Sequence, residues 1–168
     1  MFVLKKRSVL INNAGILYKH GLESPNLISE TLEQFNTNTL GSLRVTLAVL
    51  PLLRQAVAEK ATEYVKIANV SSIMGSVGLV NDTFPGDYGY RASKAAENII
   101  SATLARDLAK ENIISLVLHP GYVSTRMVGP SGHITPDTSA TGIANVVDKA
   151  GPADAFKLLN YDGTALPW

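Results

Sequence analysis

A chain of 168 residues, 46% of them hydrophobic and 17% charged, is long and apolar enough to bury a core of its own. Its formal net charge of +1 gives no bulk attraction to nucleic acid or to an anionic membrane. Without cysteine it can have no disulfide, no thiol nucleophile and no Cys-based metal site, and His20, His119 and His133 show no metal-ligand spacing. No apolar stretch reads as a membrane span, which needs roughly 18 residues. Met1 to Leu4 is too short for a signal-peptide core, and Lys5-Lys6-Arg7 reads as a solvated terminus. The expectation is a soluble, cytoplasmic protein with neither nucleic acid nor membrane as partner.

In chain order, Ser8 to Ile11 reads as a short buried strand, closed by the turn formers Asn12-Asn13-Ala14-Gly15. A loop follows to Asn26. Ser29 or Thr31 offers a cap for a helix that runs to about Ala58, bent near Pro51. Tyr64 to Val70 is a second apolar strand, ended by Ser71-Ser72. Gly75 to Gly89 is a loop rich in Gly, Asp and Pro. Tyr90 to Lys110 is a long helix with small residues on one side. Ile113 to Leu118 is a third apolar strand, followed at once by His119-Pro120-Gly121. Ser124 to Thr138 is loop-like, Ala140 to Ala150 a modest helix, and Phe156 to Asn160 a last strand before Asp162-Gly163.

Continuous apolar strands separated by long helices predict an α/β fold, a doubly wound parallel sheet with helices on both faces. Ligands bind such sheets beyond the carboxyl ends of the strands. The polar residues of interest follow strand ends or open the next helix. Tyr90 and Lys94 stand one helical turn apart and so share a face. A free phenol, with a pKa of roughly 10, is a poor acid or base at neutral pH. An ammonium beside it favours the phenolate, so the pair is a candidate proton-transfer device.

Four segments surround that pair in a telling order. They are Asn12-Asn13-Ala14-Gly15, Asn69-Val70-Ser71-Ser72-Ile73-Met74-Gly75, Tyr90-Arg91-Ala92-Ser93-Lys94 and Pro120-Gly121-Tyr122-Val123-Ser124-Thr125. Together they resemble the short-chain dehydrogenase/reductase family, NAD(P)-dependent oxidoreductases with a Rossmann fold. The loop between Ser76 and Tyr88 and the ending Asp162-Gly163-Thr164-Ala165-Leu166-Pro167-Trp168 are similar to the branch of C-factor-like proteins and Sniffer-type carbonyl reductases.

The resemblance implies roles. Tyr90 is the general acid in reduction. Lys94 lowers its pKa and holds the nicotinamide ribose. Ser72, from the Ser-x-x-Gly pattern closed by Gly75, binds the substrate carbonyl oxygen. Asn38, from the Asn-x-x-Gly pattern, holds a water that relays protons to Lys94. Cofactor contacts come from Asn12, Ala14, Gly15, Tyr90, Lys94, Pro120, Gly121, Val123 and Thr125. The cofactor is NADP or NAD, with NADP favoured by the resemblance alone. The substrate is a small-molecule ketone or aldehyde. Members of the family commonly oligomerise through the helices matching Thr31–Ala58 and Tyr90–Lys110, so a homo-oligomer or a pairing with a complete relative is expected. His119 reads as a structural residue.

One departure from the family stands out. No Gly-rich turn and helix N-terminus, the usual pyrophosphate site, precedes Asn12. Ser8 stands where the family often carries Asp. The chain therefore reads as a single incomplete Rossmann domain, residues 1–168, that is N-terminally truncated, carries the catalytic half and has an open edge at its first strand. An inactive remnant serving as an oligomerisation partner, or an incomplete gene model, stays open beside the enzyme.

Overall fold

The computed structural model describes residues 9–59 and 63–168. Lys5 to Arg7 and Ser8, singled out above, lie outside them. Five strands form one sheet in the order β1-β2-β3-β4-β5: β1 Val9–Asn12, β2 Val65–Val70, β3 Ile113–His119, β4 Leu158–Asn160 and β5 Ala165–Leu166. The first four run parallel. Only β5, a two-residue strand absent from the sequence reading, turns back antiparallel on β4 after the tight turn at Gly163 (φ +89°).

Adjacent residues of a strand point to opposite faces, and the core divides accordingly. Val65, Ile67 and Ile113 pack with Leu53 and Ala56 on one face. Ala68, Ile114, Leu116 and Leu118 pack with Val147 and Ala150 on the other. Leu116 and Leu118 are fully buried, and burying such a side chain contributes about 1.5–3 kcal/mol. The helices on these faces are α2 (Ser42–Ala58), α3 (Tyr88–Leu108) and α4 (Pro136–Lys149).

Three expectations change. The first helix, α1 (Leu27–Gln34), starts two residues before Ser29. Its N-cap is Asn26, without a side-chain bond, and Ser29 Oγ instead donates to the Asn26 carbonyl at 3.0 Å. The helix does not continue evenly into α2. Phe35–Gly41 forms a π-turn centred on Asn38, whose side chain is drawn into bonds elsewhere. Helix α3 begins at Tyr88, so Tyr90 lies inside its first turn.

The joined helix Leu27–Ala58 is 32 residues long and contains an 18-residue window of mean hydropathy 1.3, contrary to the expectation that no stretch reaches membrane-span character. Only 17% of that window is buried. The exposed residues include Val45, Leu47 and Leu52, while the polar Asn38, Thr39 and Thr46 are buried. The helix thus buries Asn38, Thr39 and Thr46 along with Leu53 and Ala56, and turns part of its apolar side outward.

Two glycines set the helices against the site. A Cβ on Gly75 would lie 2.6 Å from the Lys94 carbonyl carbon, so the turn after β2 rests directly on the α3 backbone. A Cβ on Gly89 would lie 2.8 Å from Thr31 Cα, which marks the close crossing of α1 and α3.

Candidate active site

The site grows from the carboxyl end of β2. Ser71 ends the strand, and its backbone N–H still donates to the Leu118 carbonyl of β3 at 2.7 Å. Ser72 then caps a short 3₁₀ turn, Ile73–Gly75, by accepting a hydrogen bond from the Met74 N–H at 3.1 Å. The two serines thereby part company. Ser71 Oγ donates to Asn98 Oδ1 at 2.5 Å inside the protein, whereas the Ser72 hydroxyl reaches the Tyr90 phenol. Tyr88, the competing phenol, is 44% exposed.

Burial pushes the Tyr90 phenol up to about 12, the Ser72 hydroxyl pulls against that rise, and Glu97 and Asp87 add to it. The expected depression of the phenol by Lys94 therefore does not describe this arrangement. Lys94 Nζ lies 5.9 Å from the Tyr90 ring centroid and donates elsewhere, to the Val70 carbonyl at 2.8 Å and to Glu97 Oε2 at 2.7 Å. A neutral phenol in reach of a serine hydroxyl is equipped to give a proton to an oxyanion held between them.

Asn38 is fully buried and its side chain is spent on structure. Its Oδ1 accepts from the Ile16 N–H at 2.8 Å, and its Nδ2 donates to the Ile16 carbonyl at 2.9 Å and to Ser93 Oγ at 3.0 Å. It ties the loop after β1 to α3. Its backbone carbonyl accepts from Ser42 Oγ at 3.0 Å.

Asn12, expected to contact the cofactor, has its side chain committed inside the sheet, where Nδ2 donates to Asn69 Oδ1 at 2.8 Å and Thr46 Oγ1 at 3.0 Å. Asn69 continues across to Ser115 Oγ on β3 at 3.2 Å. This polar ladder locks three strands in register, and Asn12 is structural by its side chain. Ala14 is exposed and Gly15 half-buried. A Cβ on Gly15 would lie 3.4 Å from Asn38 Oδ1 and 3.8 Å from Lys94 Nζ, so its backbone faces the Lys94 side of the site.

The loop after β3 comes from the next strand end along. The Pro120 carbonyl accepts from Ser139 Oγ at 2.6 Å. Gly121 has φ +84°, and a Cβ there would stand 2.6 Å from the Ile134 side chain, so only glycine suits the turn. Val123 bridges to Ile134, and Thr125 is exposed. Tyr122 packs tilted against Phe84 at 5.7 Å and edge-on against His133 at 5.2 Å, joining this loop to the one before α3. Val77, Val80, Phe84 and Met127 leave an exposed apolar lip on the two loops.

His119 is structural, as expected. Its Nδ1 accepts from the Ile73 N–H at 3.4 Å, and burial pushes its pKa down to about 4. Glu97 escaped the sequence reading, although an acid three residues after Lys94 on one helix face was visible there.

A mostly parallel sheet with a serine, a tyrosine and a lysine gathered beyond its strand ends defines a Rossmann-type oxidoreductase scaffold. The sequence profile of the short chain dehydrogenase family matches residues 4–134, and the chain belongs to that family. It is 38% identical over 160 residues to the C-signal of Myxococcus xanthus, covering 95% of this chain and 92% of that one. Among solved structures it is similar to the carbonyl reductase Sniffer of D. melanogaster, at TM-score 0.88 and 37% identity over 95% of this chain. It is equally close in shape, at TM-score 0.88, to an NADPH-bound carbonyl reductase from chicken fatty liver, at 30% identity over 98% of this chain. The chain spans 66% and 67% of those two reductases.

Proposed function

We propose that this chain carries the catalytic half of an NAD(P)-dependent carbonyl reductase. The observation that carries the reading is the buried, neutral Tyr90 phenol, on which the Ser72 hydroxyl acts to lower its pKa, in a member of this family. Ser72 would orient the carbonyl oxygen of a ketone or aldehyde. Tyr90 would protonate that oxygen as negative charge develops on it. A nicotinamide cofactor, when bound, supplies the hydride. Gly15, Tyr90, Lys94 and the loop Pro120–Thr125 would hold its nicotinamide end. The missing Cβ of Gly15, beside Lys94 Nζ, leaves that approach open. The NADPH in the chicken reductase supports NADP, with NAD as the competitor. The apolar lip favours an apolar small molecule.

A direct test is calorimetric titration with NADPH and with NADH, followed by NADPH oxidation in the presence of an aromatic ketone or aldehyde. Binding and turnover that both vanish in Lys94→Ala support the reading. No binding of either nucleotide, in a folded chain at millimolar concentration, overturns it for this chain.

A second reading, a non-catalytic association module, has one observation in its favour. The Myxococcus relative, matched over almost its whole length, is named as a signal, and β1 and α2 expose apolar residues here. Tyr90→Phe separates the two, because an association role survives it.

A further inference from the structure

Glu97 is a buried acid that the reductase reading leaves without a role. Its carboxylate and the Lys94 ammonium are 3% and 4% exposed and 2.7 Å apart. The second oxygen, Oε1, accepts from Ser42 Oγ at 3.1 Å. That hydroxyl, with one proton to give, stands also 3.0 Å from the Asn38 carbonyl. A buried charge is tolerated only when paired and hydrogen-bonded, and each member of this pair meets that need for the other.

The geometry has an electrostatic consequence for Tyr90. Lys94 is turned to Glu97 and the Val70 carbonyl, with its nitrogen 5.9 Å from the phenol ring centroid. At that range its positive charge is offset by a carboxylate in direct contact with it. We propose that Glu97 is a positioning residue which neutralises Lys94 and keeps Tyr90 in its proton-donating form, biasing this site toward carbonyl reduction over alcohol oxidation. The inference rests on the reductase reading for its meaning in turnover, but not for its electrostatics.

The groups acting on each member are few. On the phenol act Ser72, from the turn after β2, and Glu97 and Asp87, from α3 and the residue preceding it; the two acids raise its pKa and Ser72 lowers it. On Glu97 act Lys94 from α3 and Ser42 from α2; burial pushes this carboxyl up, and both partners pull it down. Removing the negative charge at position 97 must therefore make Tyr90 the stronger acid. A Glu97 that merely filled space would leave that acidity unchanged.

The test uses the whole chain without cofactor, its tyrosines labelled with ¹³C at Cζ, and Tyr90 assigned by the signal missing in Tyr90→Phe. In Glu97→Gln the Tyr90 midpoint should fall by at least about one pH unit, tenfold in the ionisation constant. A midpoint that stays within about 0.3 unit, with circular dichroism unchanged, overturns the proposal. If Glu97→Gln does not fold, the wild-type chain still decides. With the Glu carboxyl carbons labelled, Glu97 should report the charged carboxylate at neutral pH, and a protonated Glu97 there overturns the proposal. A chain that fails to bind NADPH sinks the reductase reading and leaves these titrations as they are.

Discussion

The inner side of α3 and the outer edge of β1 are built on opposite terms. Around Lys94 the side chains of Asn38, Thr39, Ser71, Ser93, Glu97 and Asn98 are buried and bonded to one another or to nearby backbone. At β1, Val9 and Ile11 are 40% and 52% exposed, and pairing among the described residues is with β2 alone. The contrast separates two tasks. The candidate acid–base residues sit on a polar network that one compact region closes by itself, whereas β1 has β2 as its one partner strand among the described residues.

The sharpest way to break this contrast is to strike the inner network. Tyr90→Phe keeps the ring and removes the transferable proton, so turnover should fall by at least about a hundredfold, with Tyr88→Phe far milder. Steady-state NADPH oxidation checks both, and the reverse ranking would move the acid to Tyr88. Ser72→Ala comes next and should cost on the order of 3 kcal/mol in kcat, the scale of one donor aimed at an oxyanion. Ser71→Ala should divide differently. It strands a buried Asn98 Oδ1 and should cost about 1–3 kcal/mol of folding stability while slowing turnover far less. Urea unfolding and kcat on the same two variants would expose a register error of one residue.

Much of this inner side was legible in the sequence because local rules and the site agree there. Ser72 followed a strand end, Tyr90 and Lys94 shared a helical turn, and the apolar runs of β2 and β3 announced buried parallel strands. What escaped were features set by contacts distant in the chain. The π-turn at Asn38 arises because Ile16 and Ser93, 22 and 55 residues away, claim its side chain. The Asn12 side chain is taken by Thr46 and Asn69, far along the chain, which leaves only its backbone for the cofactor. Lys94 looked like Tyr90's partner until Glu97 was seen to hold it. The sequence reads this stretch as one helix to about Ala58, but does not show that α2 would leave Val45, Leu47 and Leu52 exposed, because which face is covered is set by the elements packed against it.

A milder probe of the inner side is pH. His119 takes its proton near 6.5 when unfolded but not until about 4 when folded, because burial disfavours the charged ring. Between those values the unfolded chain binds more protons, so this contribution is fully present above pH 6.5 and is lost as pH falls toward 4. The shift corresponds to about 3 kcal/mol at full extent. Urea unfolding at pH 7 and pH 4.5 should show a steeper loss in the wild type than in His119→Gln. Parallel losses would mean that the imidazole titrates freely, and that its bond to the Ile73 N–H is not holding the Ser72 turn.

The smallest change in folding, and the most informative about the outer edge, should come from Ile11→Lys. Its side chain is half exposed, so the substitution should alter folding stability by no more than about 0.5 kcal/mol. An exposed apolar strand with unpaired backbone nevertheless invites another chain, and a lysine there is a common deterrent. The wild-type chain should therefore self-associate in light scattering, and Ile11→Lys should shift it toward monomer. Neither should bind NADPH tightly, since among the described residues no Gly-rich turn opens a helix to receive the pyrophosphate. A monodisperse wild-type monomer with micromolar NADPH affinity would erase the contrast between the two regions: the edge would then be stable as it stands, and the inner network alone would suffice to hold the cofactor.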